Sequence, residues 1–261
     1  PGVPDDTCEY CRTGRYNICP GVDFMATQPN YKGALTQYMT HPEEWTYHIP
    51  EGMTTMEGAL VEPAAVGMHA AVLGGAQPGK SIVILGGGTI GLMVLQACIS
   101  LGATDITVVD VIEKRLELAK KLGAARVING KEEDTVAVLR SEEMYGDHGV
   151  DLVFEAAGAV FTAQQAVQIV SRGGKIMMVG TQSKPVPIDF LKINREVTIQ
   201  TSFRYCNNFP QTIEAISSGR FNVKDMVTNI YDYEDVQKAF EEAIDPVKKT
   251  EMVKGVIKVA E

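Results

Sequence analysis

"SIVILGGGTIGLMVLQA", residues 81–97, runs from a short apolar stretch through three glycines into a second apolar stretch of helical length. The first piece reads as a buried strand and the last as a helix. The turn between them has the form G-x-G-x-x-G, with glycines at Gly86, Gly88 and Gly91. In such an array the first glycine permits a tight turn and the second lets the backbone approach a pyrophosphate. The third allows close helix–strand contact, and the helix N-terminus faces the negative charge. Thr89 and Ile90 lie inside the array and are expected to bind the cofactor with it. Asp110 ends the next strand, "DITVVD", where a carboxylate hydrogen-bonds the hydroxyls of an adenosine ribose. The same charge repels a 2′-phosphate, which favours NAD over NADP. Arg115, able to accept that phosphate, is expected to lie a turn or more beyond the ribose. The alternative is a doubly wound domain for another ligand, such as S-adenosylmethionine or a mononucleotide.

Outward from this stretch, strand and helix patterns alternate. "DITVVD", "ARVIN", "VDLVFEAAG" and "KIMMVG" read as strands, and "VIEKRLELAKKLG", "EEDTVAVLRSEEM" and "FTAQQAVQIVSRGG" as helices. Alternation of this kind implies right-handed crossovers and a parallel sheet covered on both faces, an α/β doubly wound (Rossmann) domain. "EAAG" (155–158) and "VGTQ" (179–182) fall where strands end at the ligand-facing edge, so Ala157, Gly158, Val179 and Gly180 are expected to line the nicotinamide half. Residues 1–50 look irregular and β-rich, with strand-like "ALTQYMTH" and "WTYHIP". "TTMEGALVEPAAVGMHAAVLGG" (54–75) has helical spacing, with Pro63 interrupting it and Gly74 and Gly75 as a stop. After residue 201, "NNFPQTIEAISSGR" and "YEDVQKAFEEAI" read as helices and "GVIKVAE" as a strand. The expected organisation is a cofactor domain over 67–200, flanked by 1–66 and 201–261 as two pieces of a second domain.

The 261 residues are 45% hydrophobic and 22% charged, with a net charge of −9, enough for a well-buried core. Acidic and basic residues are interspersed, without the footprint of a nucleic-acid binder. No apolar run approaches the roughly 18–20 residues that span a bilayer. "PGVPDD" has neither the basic start nor the apolar core of a signal peptide, and reads as an internal start. Five cysteines without a secretory signal argue for a reducing, cytoplasmic setting in which thiolates bind metal or stay free.

Three of those cysteines fall in "DDTCEYCRTGRYNIC" (5–19). Cys8, Cys11 and Cys19 follow a C-x-x-C-x7-C pattern that resembles the structural-zinc lobe of the zinc-containing medium-chain dehydrogenases, C-x-x-C-x-x-C-x7-C. Asp5 stands where that family has its first cysteine, and aspartate is an acceptable zinc ligand. The implied site is a closed Asp5, Cys8, Cys11, Cys19 tetrahedron that holds the loop and does not catalyse; the alternative is an empty site with free thiols. A thioredoxin-type redox role lacks its β/α context.

The resemblance extends over the chain and sharpens toward the sorbitol and xylitol (polyol) dehydrogenases. It is carried by "GRYNICP", "ATQPNYKGALTQYMTHP", "EGALVEPAAVGMHA", "GGGTIGLMVLQA" and "SFRYCNNFPQTI". It implies a second domain that is mainly β (GroES-like), hydride transfer from a secondary alcohol of a polyol to NAD, a zinc at the reacting alcohol, and a homo-oligomer, expected to be a tetramer. Arg204 and Tyr205 match a pair beside the substrate pocket, where they would donate hydrogen bonds to a polyhydroxylated chain; otherwise they are a surface arginine and a packed tyrosine. Glu62 matches a glutamate at the catalytic zinc, bound directly or through water. A carboxylate in an apolar helix needs a partner, and a metal would serve. Phe24 and Tyr38 would wall the pocket, and His69 would pack near the cofactor domain. The family's remaining catalytic-zinc ligands, a cysteine and a His-Glu pair ahead of the structural-zinc loop, are not in this sequence. Two alternatives are a non-catalytic NAD-binding protein and a threonine dehydrogenase-like enzyme, the latter disfavoured by "FRYCN".

Overall fold

The computed structural model describes residues 2–27 and 32–259. Residues 28–31 of the stretch 26–42 quoted above lie outside them. In chain order the strands are β1 (Gly2–Val3), β2 (Asp23–Phe24), β3 (Ser81–Leu85), β4 (Asp105–Asp110), β5 (Arg126–Asn129), β6 (Val150–Glu155), β7 (Val170–Met178), β8 (Thr198–Thr201), β9 (Val227–Asp232) and β10 (Lys254–Lys258). The helices are α1 (Glu9–Arg12), α2 (Thr55–Gly74), α3 (Thr89–Ser100), α4 (Glu113–Lys121), α5 (Thr135–Leu139), α6 (Val160–Ile169), α7 (Phe209–Ser217), α8 (Val236–Ile244) and α9 (Lys248–Glu251).

Six strands form one parallel sheet in the order β5-β4-β3-β6-β7-β8. The order reverses between β3 and β6, and at such a switch point the crevice beyond the strand ends binds ligands. Successive side chains of a strand face opposite layers. Ile82, Ile84, Ile106, Val108, Leu152 and Phe154 pack under α2, α3 and α7, whereas Val83, Leu85, Val109 and Val153 pack under α6. β9 and β10 form a separate parallel pair. Among the described residues no helix is long and apolar enough to cross a membrane.

Helix α2 begins at a capping box: the Thr54 hydroxyl accepts from the Glu57 N–H, and the Glu57 carboxylate accepts from the Thr54 N–H at 2.8 Å. Lys224 pairs with Glu57 at 3.3 Å. The helix ends at Gly75, left-handed at φ +77°. It is not interrupted at Pro63. A proline inside a helix costs about 3 kcal/mol, and burial of Leu60, Ala64, Met68 and Ala71 in the shared core offsets it. The contact with α3 is close: a Cβ on Gly67 would stand 2.5 Å from the Met93 carbonyl carbon. α2 runs unbroken across residues 66 and 67 and α7 packs against it, so the core under the sheet draws on chain beyond 67–200.

Three expectations of local structure fail. "ALTQYMTH" and "WTYHIP" form no strand; Trp45 instead closes a 3-10 turn, Glu43–Trp45. A strand needs a neighbour for its N–H and C=O groups, and among the described residues neither stretch pairs with one. The mainly β character expected of the second domain is therefore reduced here to the short β1–β2 pair and the β9–β10 pair. Helix α5 stops at Leu139, well before Met144. Helix α6 stops at Ile169, and Val170 already begins β7, in keeping with the strand preference of β-branched residues.

A nucleotide cleft, a cysteine cage and a polar cluster

The glycine turn sits at the end of β3. Gly86 has φ +112°, a conformation that L side chains rarely adopt, and a Cβ on Gly91 would overlap the Gly86 carbonyl oxygen. The turn opens into a cavity of about 450 Å³ lined by Gly86, Gly88, Asp110, Arg115, Ala157 and Thr162 among others. Asp110 is buried and already committed. Its Oδ2 accepts from the Gly87 N–H at 2.7 Å, and its Oδ1 from those of Val111 and Ile112 at 2.7 and 2.9 Å. Arg115 does not lie beyond the ribose site: Nη1 stands 3.6 Å from Asp110 Oδ2, inside the same cavity. Helical side chains lean toward the N-terminus, and Arg115 is in the first turn of α4. Thr89 points elsewhere, its hydroxyl donating to the Val253 carbonyl, and Ile90 is half-buried.

At the end of β6 stands Glu155, fully buried and not among the residues expected from the sequence. Its Oε1 accepts from the N–H groups of Ala157 and Gly158 (3.0 and 2.9 Å) and from the Thr162 hydroxyl (2.7 Å), and its Oε2 from Gln182 Nε2 (2.6 Å). Its carbonyl accepts from the N–H groups of Val179 and Gly180, each at 2.8 Å. One residue thus gathers the four positions expected at the nicotinamide half. The signal was visible as a charge ending an apolar strand.

Across the strand ends, residues 202–208 pass from β8 to α7 as an arm along α2. Asn208 Nδ2 donates to the Ala65 carbonyl at 2.8 Å. The Arg204 guanidinium lies 3.9 Å above the Phe24 ring, and its Nη1 is buried with no hydrogen-bond partner. Burial lowers its pKa, and the Tyr205 and Glu62 charges act the other way. The Tyr205 hydroxyl is buried without a partner of ordinary geometry. Burial and the nearby Glu62 carboxylate push its pKa up. Glu62, Arg204, Tyr205 and Phe24 therefore do come together. Tyr38 does not join them; it is 90% exposed and lines another hollow. His69 is half-buried, and burial lowers its pKa.

The ligand atoms of Asp5, Cys8, Cys11 and Cys19 all lie within 4.8 Å of one another. Zn–S bonds of about 2.3 Å at a tetrahedral centre put sulfurs about 3.8 Å apart, so three sulfurs and one oxygen at this spacing fit a zinc ion. Cys8 and Cys11 are free thiols, with sulfurs 3.4 Å apart. Cys8 caps α1 and accepts from the Cys11 N–H, which lowers its pKa; burial and the neighbouring thiols push Cys11 up to about 12. The N–H groups of Thr7 and Cys8 hold the Asp5 carboxyl down to about 2. Among the described residues this is the one group of three or more such ligands, and Glu62 belongs to none. Glu62 alone does not fit a catalytic zinc.

Residues 89–218 match a family model described as zinc-binding dehydrogenase. An uncharacterised zinc-type alcohol dehydrogenase-like protein of Escherichia coli K12 is 64% identical over 261 residues, covering 100% of this chain and 74% of that protein. The chain belongs to the zinc-binding dehydrogenase family. Within the family, the sorbitol dehydrogenase of Bacillus subtilis is 41% identical over 247 residues, 94% of this chain and 69% of that protein. The crystal structure of an E. coli oxidoreductase/dehydrogenase of unknown specificity superposes with a TM-score of 0.97 at 63% identity, covering 100% of this chain and 74% of that one. Membership explains the glycine turn and the cysteine cage together. Neither feature alone carries it, since glycine turns also make plain strand-to-helix connections.

Proposed function

We propose that this chain binds NAD and contributes to hydride transfer from a secondary alcohol of a polyol, giving a ketose. The observation that carries the reading is the pair of unpartnered buried donors, Arg204 Nη1 and the Tyr205 hydroxyl, gathered beside Glu62. Buried polar groups without partners are rare in folded proteins, and the hydroxyls of a polyol would satisfy both. The similarity to a sorbitol dehydrogenase supports that choice of substrate. In this reading the N-terminus of α3 receives the pyrophosphate, Asp110 orients the adenosine ribose, and Glu155 shapes the nicotinamide side. Asp110 also disfavours a 2′-phosphate, and Arg115 is drawn toward that carboxylate at 3.6 Å.

A zinc ion at the reacting alcohol would act as Lewis acid. These residues supply Glu62 alone toward it, and this chain by itself is expected to bind cofactor without turnover. Zinc in the Asp5, Cys8, Cys11, Cys19 cage would be structural. Assembly as a tetramer belongs to the same reading.

Calorimetry tests it. NAD is expected to bind at least about tenfold more tightly than NADP, a difference of about 1.4 kcal/mol. Xylitol or sorbitol is expected to bind the NAD-loaded chain and not the Arg204→Ala variant. Tighter binding of NADP, or of threonine in place of polyols, would overturn the proposal.

A further inference from the structure

Residues 14–17, between the second and third cysteines, are tied to the arm that carries Arg204 and Tyr205. Asn17 Nδ2 donates to the Phe203 carbonyl at 2.9 Å. The Gly14 carbonyl accepts from Cys206 Sγ at 2.9 Å and from Asn207 Nδ2 at 2.7 Å. The Asn207 N–H donates to the Tyr16 hydroxyl at 2.7 Å.

The arm needs such support. Arg204 and Asn207 have φ +55° and +56°, the left-handed region that non-glycine residues seldom occupy. Conformations of this kind persist only where the surroundings over-determine them. The supporting loop has little packing of its own: α1 and the 3-10 turn Tyr16–Ile18 contain no buried residue. What converges in it are the four potential ligands, with Cys19 buried at its end.

We propose that the cysteine loop is a positioning device for Arg204 and Tyr205. A thiophilic divalent cation seated among Asp5, Cys8, Cys11 and Cys19 orders residues 14–17, and Tyr16 and Asn17 pass that order to residues 203–207. This goes beyond a site that merely holds its own loop, and it rests on the reading of Arg204 and Tyr205 as substrate-contacting groups. Tyr16 and Asn17 are positioning residues and touch neither polyol nor nucleotide.

The test is hydrogen exchange on the full chain, reduced, with zinc or with chelator, following peptides over 203–207 and over β3. Zinc is expected to slow exchange at 203–207 about tenfold or more and to leave β3 unchanged. In a Tyr16→Phe, Asn17→Ala, Asn207→Gly triple variant the slowing is expected to fall below about threefold, while elemental analysis still finds one zinc per chain. Unchanged β3 protection shows that the variant is folded. Trp45, the single tryptophan, stands 4.7 Å from Tyr16, and its emission reports loading of the loop in both proteins. Unchanged exchange at 203–207 with zinc bound would overturn the proposal, as would a chain that binds no zinc or a triple variant that responds like the parent. Xylitol with NAD is then added: no further protection at 203–207, with the zinc response intact, refutes the polyol reading and leaves the coupling standing.

Discussion

Replacing Asp110 with alanine is expected to damage the fold as well as the cofactor site, because its two oxygens serve three backbone N–H groups. These groups are not equivalent. Val111 is 58% exposed and Ile112 partly so, and water can replace the lost acceptor there. Gly87 is buried, and its N–H would be orphaned at a cost of about 1–3 kcal/mol. The ion pair with Arg115, long at 3.6 Å but mostly buried, adds about 1 kcal/mol. The sum is about 2–4 kcal/mol, or roughly 4–16 °C in melting temperature for a chain of this size. Asp110→Asn should recover about half: its single oxygen can serve Gly87, but its NH₂ then faces the N–H groups of Val111 and Ile112. Urea unfolding with an unchanged slope measures both variants, and calorimetry should show NAD affinity falling about tenfold to a hundredfold with the lost charge-assisted bonds. An alanine variant within about 0.5 kcal/mol of the parent would refute the claim that the Gly87 N–H depends on this carboxylate.

Gly91→Ala places a methyl into the Gly86 carbonyl oxygen; because that partner is backbone, stability should fall by about 3 kcal/mol or more and NAD binding with it, measured by the same unfolding and calorimetry. Tyr205→Phe removes a buried hydroxyl whose neighbouring acceptor, the Glu62 carboxylate, lies outside ordinary hydrogen-bond geometry, so stability should stay within about 1 kcal/mol of the parent. A clear loss would mean the hydroxyl has a structural partner. For Asp151, burial alone would raise the pKa, but the Ser81 N–H and hydroxyl and the nearby Lys80 outweigh it and the net direction is down. A depressed folded-state value stabilises above the unfolded pKa of about 3.9 and fades as pH falls through it. The stability gap between the parent and Asp151→Asn should therefore shrink as pH falls below about 4, while His148, 3.7 Å from the carboxylate, can only widen it where the imidazole is charged.

Five of the six strands of the sheet were legible because each holds a short apolar run bounded by turn residues, and the order of helices and strands leaves few parallel topologies; β8, TIQT at the edge, is polar and largely exposed and was not read. The cage was legible because its spacing is local. What escaped depends on distant neighbours. Pro63 passes inside α2 because the helix is packed against α3 and α7, which no single-stretch pattern reveals. Arg115 reaches Asp110 because α4 starts at Glu113, and a boundary shifted by two residues changes where its side chain points. Glu155 passed unnoticed because its partners come from its own turn, from the first turn of α6 and from Gln182 after β7. The stretch over 45–50 alternates as strands do, but alternation cannot supply a ladder partner.

Helix α2 carries Glu62 and, five positions later, the Gly67 that lies against α3. At 1.5 Å per residue that interval is a spacer of about 7.5 Å between the floor of the nucleotide domain and the Glu62 carboxylate. Its pitch also sets a bearing: one residue inserted between them turns Glu62 by about 100° and carries it away from Arg204 and Tyr205. The length of this stretch is as constrained as its buried side chains, Ala64 and Ala65. A single insertion or deletion between Glu62 and Gly67 should break up the cluster of Glu62, Arg204 and Tyr205 while leaving the six-stranded sheet intact.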